Sequence, residues 1–394
     1  MVEWKKIEDL GPYFGGLTGK TKEDFVDGNA KFITYMNVFA NASLDITSTG
    51  VVRISDGERQ NKIQKGDILF TGSSETPDEA GMSCVVTEEL NEDYYMNSFC
   101  FGIRLNNPEQ YCLNYLKHIL RSSDVRKSIS KSASGVTRFN ISKARFGKIQ
   151  IPIPSLEEQT RIVVILDTFT SAIDNIKEQI ALRRKQYEYY RDQLLDLEGK
   201  PGVEMKTLGE AGEFIRGAGI LKADFVDEGF PCIHYGQIHT SYGISANKTI
   251  SQIEKSLYKK SKKAVKGDVV LATTSEDAEG CAKPVAWLGE EDVAVSGDAY
   301  IYHHNQNAKF MAYQFVTHNF MLFKNMYAVG AKVVRISGDN MAKYEFPLPP
   351  LAEQQRIVSI LDTFEASIQN LEAQLELRQK QYEYYRNKLL TFEK

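Results

Sequence analysis

The sequence has no run of 18 or more apolar residues, so no helical membrane span is expected. Its opening residues, Met1-Val2-Glu3-Trp4-Lys5-Lys6, lack the apolar stretch of a secretory leader. Cysteine is scarce: five in 394 residues, at Cys84, Cys100, Cys112, Cys232 and Cys281, with no CxxC pair. Neither a disulfide framework nor a thiolate zinc site is indicated, and a reducing cytoplasm is the simplest setting. The six histidines, His303-His304 included, show no HExxH or other metal spacing.

Catalytic motifs are equally thin. Phe14-Gly15-Gly16-Leu17-Thr18-Gly19-Lys20-Thr21 ends like a phosphate-binding loop, but Phe14 stands where the first glycine belongs. No GxGxxG opens a strand–helix unit, and no Asn/Asp-Pro-Pro-aromatic motif for amino-methyl transfer exists. Asp67 and Glu75 suggest a nuclease carboxylate pair, yet no Glu/Asp-x-Lys follows on a recognisable strand. These absences favour binding over catalysis.

What the chain does contain is a long repeat. Residues 151–198 and 346–393 are identical at 28 of 48 aligned positions, at a constant offset of 195. A repeat of that length sets the architecture: two similar halves, each a globular segment followed by a long helix. Large residues at Ile162, Leu166, Phe169, Ile173, Ile176, Ile180, Tyr187, Tyr190, Leu194 and Leu197 recur in the second copy from Ile357 to Phe392. The alternating four-and-three spacing is a coiled-coil seam, broken in both copies by an arginine, Arg183 and Arg378. Each helix should run roughly 40 residues, or about 60 Å. Pro152, Pro154, Pro347, Pro349 and Pro350 delay the starts, Ser155 with Glu158 fits a capping box, and Gly199, Pro201 and Gly202 end the first copy. The cheapest partner for each stripe is its near-copy, paired antiparallel. Tyr189 and Tyr384 lie off the seam at matching places, which marks them as candidate partner-binding residues.

Residues 1–150 and 203–345 are related more weakly. Lys65-Gly66-Asp67-Ile68-Leu69 matches Lys266-Gly267-Asp268-Val269-Val270, and Gly135 through Ser142 matches Gly330 through Ser337. Asp24–Asp27 aligns with Asp224–Asp227, and Tyr35–Phe39 with Tyr235–His239; these short apolar runs read as strands and turns. Gln110–Leu120 and Phe310–Phe323 read as helices. The predicted class is α+β, with twisted, mostly antiparallel sheets. The predicted boundaries are 1–150, 151–199, 200–345 and 346–394. The helices stayed alike while the polar loops diverged; a shared scaffold holding two different readers would produce that pattern, and so would simple drift of one domain.

The net charge of −4 argues weakly against nucleic acid, but its distribution matters. Lys117, Arg121, Arg126, Lys127, Lys131, Arg138, Lys143, Arg145 and Lys148 are opposed only by Asp124. Lys255, Lys259, Lys260, Lys262, Lys263 and Lys266 are opposed only by Glu254. One such cluster in each half makes phosphate contact plausible, against the alternative of solvated surface charge.

The order of globular segment, PxPxLxEQxxI helix, globular segment and PxPxLxEQxxI helix resembles the specificity subunit of type I restriction-modification systems, over the whole chain. The resemblance implies that each globular segment is a target recognition domain for double-stranded DNA. It implies that the helices form an antiparallel coil that binds two methyltransferase subunits, with restriction subunits in the full complex. Methylation, translocation and cleavage would then reside in other chains, which would use S-adenosylmethionine, ATP and Mg, with no cofactor in this one. Two alternatives stay open: a specificity chain of a type IIB enzyme, and a coiled-coil scaffold that binds protein or glycan.

Because the polar loops differ between halves, DNA contacts are placed by region. After each KGD strand stand Thr71, Ser73, Ser74 and Glu75, and Thr273, Thr274, Ser275 and Glu276. Small hydroxyls there suit phosphates and base edges, and a glutamate can accept from cytosine N4. Asn37, Gln237 and His239 are candidate base readers. Lys131, Thr137, Arg138, Lys332 and Arg335, before each domain's last strand, are candidate phosphate contacts.

Overall fold

The computed structural model describes residues 2–330 and 333–393. It divides into two compact units, Met1–Lys177 with Ala373–Lys394, and Glu178–Glu372. Each unit holds one globular domain and parts of both long helices, Leu156–Leu195 and Leu351–Leu390.

In the first unit, the main sheet runs Tyr13–Gly15, Cys100–Ile103, Ile68–Thr71 and Ser83–Val85, antiparallel throughout. A smaller sheet joins Thr49–Val52, Ala30–Ile33 and Tyr94–Met96, the last pair parallel. The second unit repeats the plan with Gly212–Arg216, Ala299–His304, Val269–Ala272 and Lys283–Trp287. Each domain is closed by its own ends: Glu3–Lys6 pairs with Gln150–Ile153, and Glu204–Thr207 with Glu345–Leu348. Pro152 and Pro347 therefore sit inside a closing strand, so the domains extend past the predicted boundaries at 150 and 345.

Tyr35–Ala40 and Tyr235–Thr240 form short helices, where strands or turns were expected. Thr34 explains the first: its hydroxyl accepts from the Asn37 amide at 3.2 Å and caps the turn. The predicted helical stretches become Leu113–Ile119, and Ala308–Gln314 with His318–Tyr327. The glycine-rich run near the start forms no phosphate-loop helix; a 3₁₀ turn, Lys22–Phe25, follows it, and Lys20 pairs with Glu58 at 2.6 Å.

The long helices meet along the expected stripe. In the first unit Phe169 stacks on Tyr385 at 5.2 Å. In the second, Arg184 pairs with Glu372 at 2.6 Å, Tyr187 donates to Glu365 at 3.1 Å, and Tyr190 stacks on Phe364 at 5.5 Å. Numbers rise along one helix as they fall along the other, so the pairing is antiparallel. Ile162, Leu166, Ile357 and Leu361 depart from a pure seam: they are fully buried within the globular cores. The capping box is half formed. The Ser155 hydroxyl accepts from the Glu158 amide at 3.4 Å, but the Glu158 carboxylate grips Arg161 in two bonds of 2.7 Å. No helix among the described residues is long and apolar enough to cross a membrane.

Candidate nucleic-acid interface

The KGD sequence builds a tight turn before the central strand of each domain. Gly66 and Gly267 take φ of +90° and +102°, a region that disfavours a β-carbon. Asp67 is buried, accepts from the Gln64 amide at 2.9 Å and is gripped by Arg104 at 2.9 and 2.8 Å. Asp268 accepts from Val265 at 2.8 Å and lies 2.7 Å from His303 Nδ1. Both carboxylates therefore hold the turn.

Beyond the strand, two regions distant in sequence come together. Ser73–Ser74 pairs with Phe139–Ile141, which pairs in turn with Ala133–Ser134. Thr274–Ser275 pairs with Val334–Arg335. The segment after KGD and the segment before the last strand thus form one small ladder in each domain. In the first domain its tip is Gly135–Arg138, with Val136, Thr137 and Arg138 exposed. The Arg138 guanidinium lies 5.5 Å over the ring of Phe99, which is itself exposed.

Within that frame, the hydroxyls mostly face inward, contrary to expectation. Thr71 is fully buried and its Oγ1 accepts from the Met82 amide at 2.9 Å. Ser73 is buried and its carbonyl accepts from Tyr35 at 2.8 Å. Ser74 Oγ donates to Glu79 at 3.2 Å. Thr273 and Thr274 are buried and donate to the Asp298 carbonyl and carboxylate at 3.3 and 3.4 Å. These five side chains shape the loop from inside. Ser275 is half-buried, while Glu75, Glu276, Lys131, Thr137, Arg138 and Arg335 are exposed. Arg335 stands 4.0 Å from the Asp298 carboxylate, and Lys332 lies outside the described residues.

The three amide and imidazole candidates also behave differently. Asn37 is 2% exposed; its Nδ2 donates to the Asp45 and Ser48 carbonyls at 2.6 and 2.7 Å. Its Oδ1 accepts from Asn41 and from the Asp45 amide, so the side chain is committed to its own loop. Gln237 is half-buried and donates to Ser251 at 2.6 Å. His239 Nε2 lies 2.8 Å from the Thr274 carbonyl, and the Lys283 ammonium donates to the His239 carbonyl at 3.0 Å. His239, Ser275, Glu276, Lys283, Tyr235 and Met321 line an open groove of about 890 Å³ in the second domain.

The basic clusters divide in two. Lys117 pairs with Asp167 at 2.8 Å, and Arg121 donates to the carbonyls of Val38, Phe39, Asn41 and Ser83 at 2.7 to 3.1 Å. Burial lowers the Arg121 pKa. Lys127, Lys131, Arg138 and Lys148 stay exposed, as do Lys255, Lys259, Lys260 and Lys262 in the other domain. Charge counts alone do not reveal an asymmetry between the two domains. At the offset of 195, Lys127, Lys131 and Arg138 correspond to Leu322, Met326 and Val333, all exposed. The first domain offers cations where the second offers apolar surface.

On the helices, Tyr189 and Tyr384 are 62% and 60% exposed. Each packs edge-on against its neighbour, Tyr190 or Tyr385, at 5.3 Å. Tyr189 also edges a cleft of about 670 Å³ that includes Glu188, Asp192, Asp196 and Glu345.

Two domains of one plan with unlike ends, each followed by a copy of one long helix, define a class of protein: a duplicated-domain chain. The family model described as type I restriction modification DNA specificity domain matches twice, over residues 1–183 and 201–378. A Haemophilus influenzae protein named as a type I restriction enzyme specificity subunit, S.HindORF215P, is 30% identical over 311 residues, 73% of this chain and 74% of that one. The Escherichia coli EcoR124I/EcoR124II specificity subunit is 33% identical over 265 residues, 63% of this chain and 64% of that one. A chain from a solved structure on the assembly and conformational transition of a type I R-M system superposes with a TM-score of 0.64. It is 16% identical, and the match covers 99% of this chain and 97% of that one. The S subunit from M. genitalium superposes at 0.51 with 14% identity, covering 100% and 97%. The chain belongs to the type I restriction-modification DNA specificity family.

Proposed function

We propose that this chain is the subunit that reads the DNA target of a type I restriction-modification complex. Each domain reads one half of a bipartite, asymmetric site. The observation that carries this reading is the pair of family domains, built on one plan but ending in different chemistry. Unlike readers specify unlike half-sites, whereas identical ones would require a palindrome. Arg138 and Lys131 supply phosphate contacts in the first domain, and Glu75 and Glu276 face outward as acceptors for cytosine N4.

The helical repeat docks two methyltransferase subunits through Tyr189 and Tyr384, and restriction subunits join through them. Methyl transfer from S-adenosylmethionine and ATP-driven work with Mg then belong to those partners. With a net charge of −4, this chain alone should hold DNA weakly, and the partners close around the duplex. The test is methylation mapping in a host that expresses this chain with its methyltransferase subunit. A discontinuous, asymmetric motif is expected; a continuous or palindromic one would refute the proposal.

A further inference from the structure

Two cations point into the protein where a solvated charge would be cheaper. Arg126 lies on the helix Ser123–Ser132 and Lys324 on the helix His318–Tyr327. Arg126 donates to the carbonyls of Gly81 at 2.6 Å, Ala80 at 2.7 Å and Asp78 at 2.8 Å. Lys324 is 2% exposed and donates to the carbonyls of Glu279 at 2.6 Å and Cys281 at 2.7 Å. Among the described residues neither has a carboxylate partner within ion-pair distance. Burial accordingly lowers both pKa values, that of Arg126 to about 10.

The two cations clamp the same place. Gly81 donates to Thr71 at 3.1 Å and Ala282 to Ala272 at 2.8 Å, which makes Gly81 and Ala282 equivalent, 201 apart. Asp78 and Ala80 then correspond to Glu279 and Cys281. Along the helices, however, the offset is 195. Arg126 corresponds to Met321, and Lys324 to Ile129. Each domain reaches the same two carbonyls with a different cation from a different helical turn. The cation stands at a different helix position in each domain while the bonded carbonyls are equivalent, so the clamp itself is what both domains share.

The clamped loop begins at the outward glutamate and ends in a left-handed residue. Gly81 has φ +66° and Ala282 φ +61°, and Ala282 is the one non-glycine at positive φ among the described residues. A β-carbon in that conformation is unfavourable and persists only where its surroundings fix it. Lys324 binds the carbonyl just before Ala282.

We infer that Arg126 and Lys324 are positioning residues for target reading, each fixing the loop that carries Ser74–Glu75 or Ser275–Glu276 in its own domain. This rests on the functional reading above. A loose loop would present Glu75 or Glu276 in several places and so discriminate poorly among bases, without losing phosphate contacts made by other residues.

The test uses the full chain with its methyltransferase subunits and the variants Arg126→Met, Arg126→Lys, Lys324→Met and Lys324→Arg. Amide exchange is followed without DNA, and methylation is mapped in cells. Arg126→Met should speed exchange in residues 75–81 at least tenfold and leave 276–282 unchanged. It should raise methylation of near-cognate sequences tenfold or more in one half-site only. Lys324→Met should do the same to residues 276–282 and the other half-site, and the charge-keeping exchanges should give smaller shifts of the same kind. Those exchanges decide the matter if a methionine variant fails to assemble. Unchanged loop exchange would overturn the inference. So would a loosened loop with intact discrimination, or relaxation of both half-sites by one variant. A wild-type complex without a bipartite motif would refute the functional reading instead, since exchange is measured without DNA.

Discussion

Gly81 and Ala282 occupy one position in two domains with opposite demands on the side chain. A β-carbon on Gly81 would lie 2.6 Å from Ile129 Cγ2, and the φ is already unfavourable. Gly81→Ala should therefore destabilise the chain by about 1–3 kcal/mol in denaturant unfolding. Ala282→Gly should be neutral or stabilising by up to about 1 kcal/mol, because relief of strain offsets the added freedom of the unfolded chain. Equal losses from both would contradict the assignment. Individual side chains were the least legible part of the sequence. The KGD glycine and aspartate announce a turn because only a left-handed residue and a local acceptor fit there. Whether Ser73 or Thr274 faces water depends on a ladder with residues some 60 positions away, which local sequence does not encode.

At the level of elements, the repeated PxPxLxEQxxI motif acquires a mechanism. Gln159 is 1% exposed, accepts from the Cys112 amide at 2.8 Å and donates to the Pro154 carbonyl at 2.9 Å. Gln354 repeats this with Asn307 at 2.9 Å and Pro349 at 2.8 Å. The glutamate two-bonds its own arginine on the surface, Glu158 to Arg161 and Glu353 to Arg356. The motif thus fastens each domain to the helix that follows it. Gln159→Ala should cost about 2–4 kcal/mol, since a buried N–H and a buried C=O both lose their partner. A change under about 0.5 kcal/mol in thermal unfolding would contradict that role. Helix position, seam and antiparallel pairing were legible because a 48-residue repeat with heptad spacing leaves few other solutions. This fastening was not, because no periodicity distinguishes a buried glutamine from an exposed one.

The same junction should respond to pH. His118 is buried; its Nε2 lies 2.7 Å from Asp167 and its Nδ1 3.2 Å from the Tyr382 hydroxyl, with Lys117 and Arg386 also acting on it. Desolvation lowers its pKa; burial works to raise the Asp167 carboxyl, but bonds to His118 and Lys117 leave it lowered, so a neutral imidazole faces a carboxylate. Burial likewise pushes His304 down to about 4 and lowers His234. Below the unfolded value near 6.5 the unfolded chain binds more protons, so stability falls with pH from there and is full above it. The melting temperature should be lower at pH 5.5 than at pH 7.5, and His118→Gln should reduce that difference. An unchanged melting temperature would contradict the neutral assignment.

For the whole molecule, one chain with two copies of a domain can serve two half-sites only if the copies act separately. Each domain has its own sheets, its own closing strand pair and its own glutamine fastening. Duplication was fully legible; divergence of the two tips was legible only as the absence of similarity. Docking of partners belongs at this scale too. Tyr189→Glu with Tyr384→Glu should reduce co-purification of the methyltransferase subunit at least tenfold while leaving the melting temperature within a few degrees, because both rings are exposed. Undiminished co-purification would contradict the proposed docking through these tyrosines.

The most direct measurement replaces the first domain, residues 2–153, with that of a relative of different specificity and maps methylation by the hybrid. One half-site should change to the relative's and the other should stay as it was. A hybrid in which both half-sites change, or neither does, would contradict two independent readers on one chain.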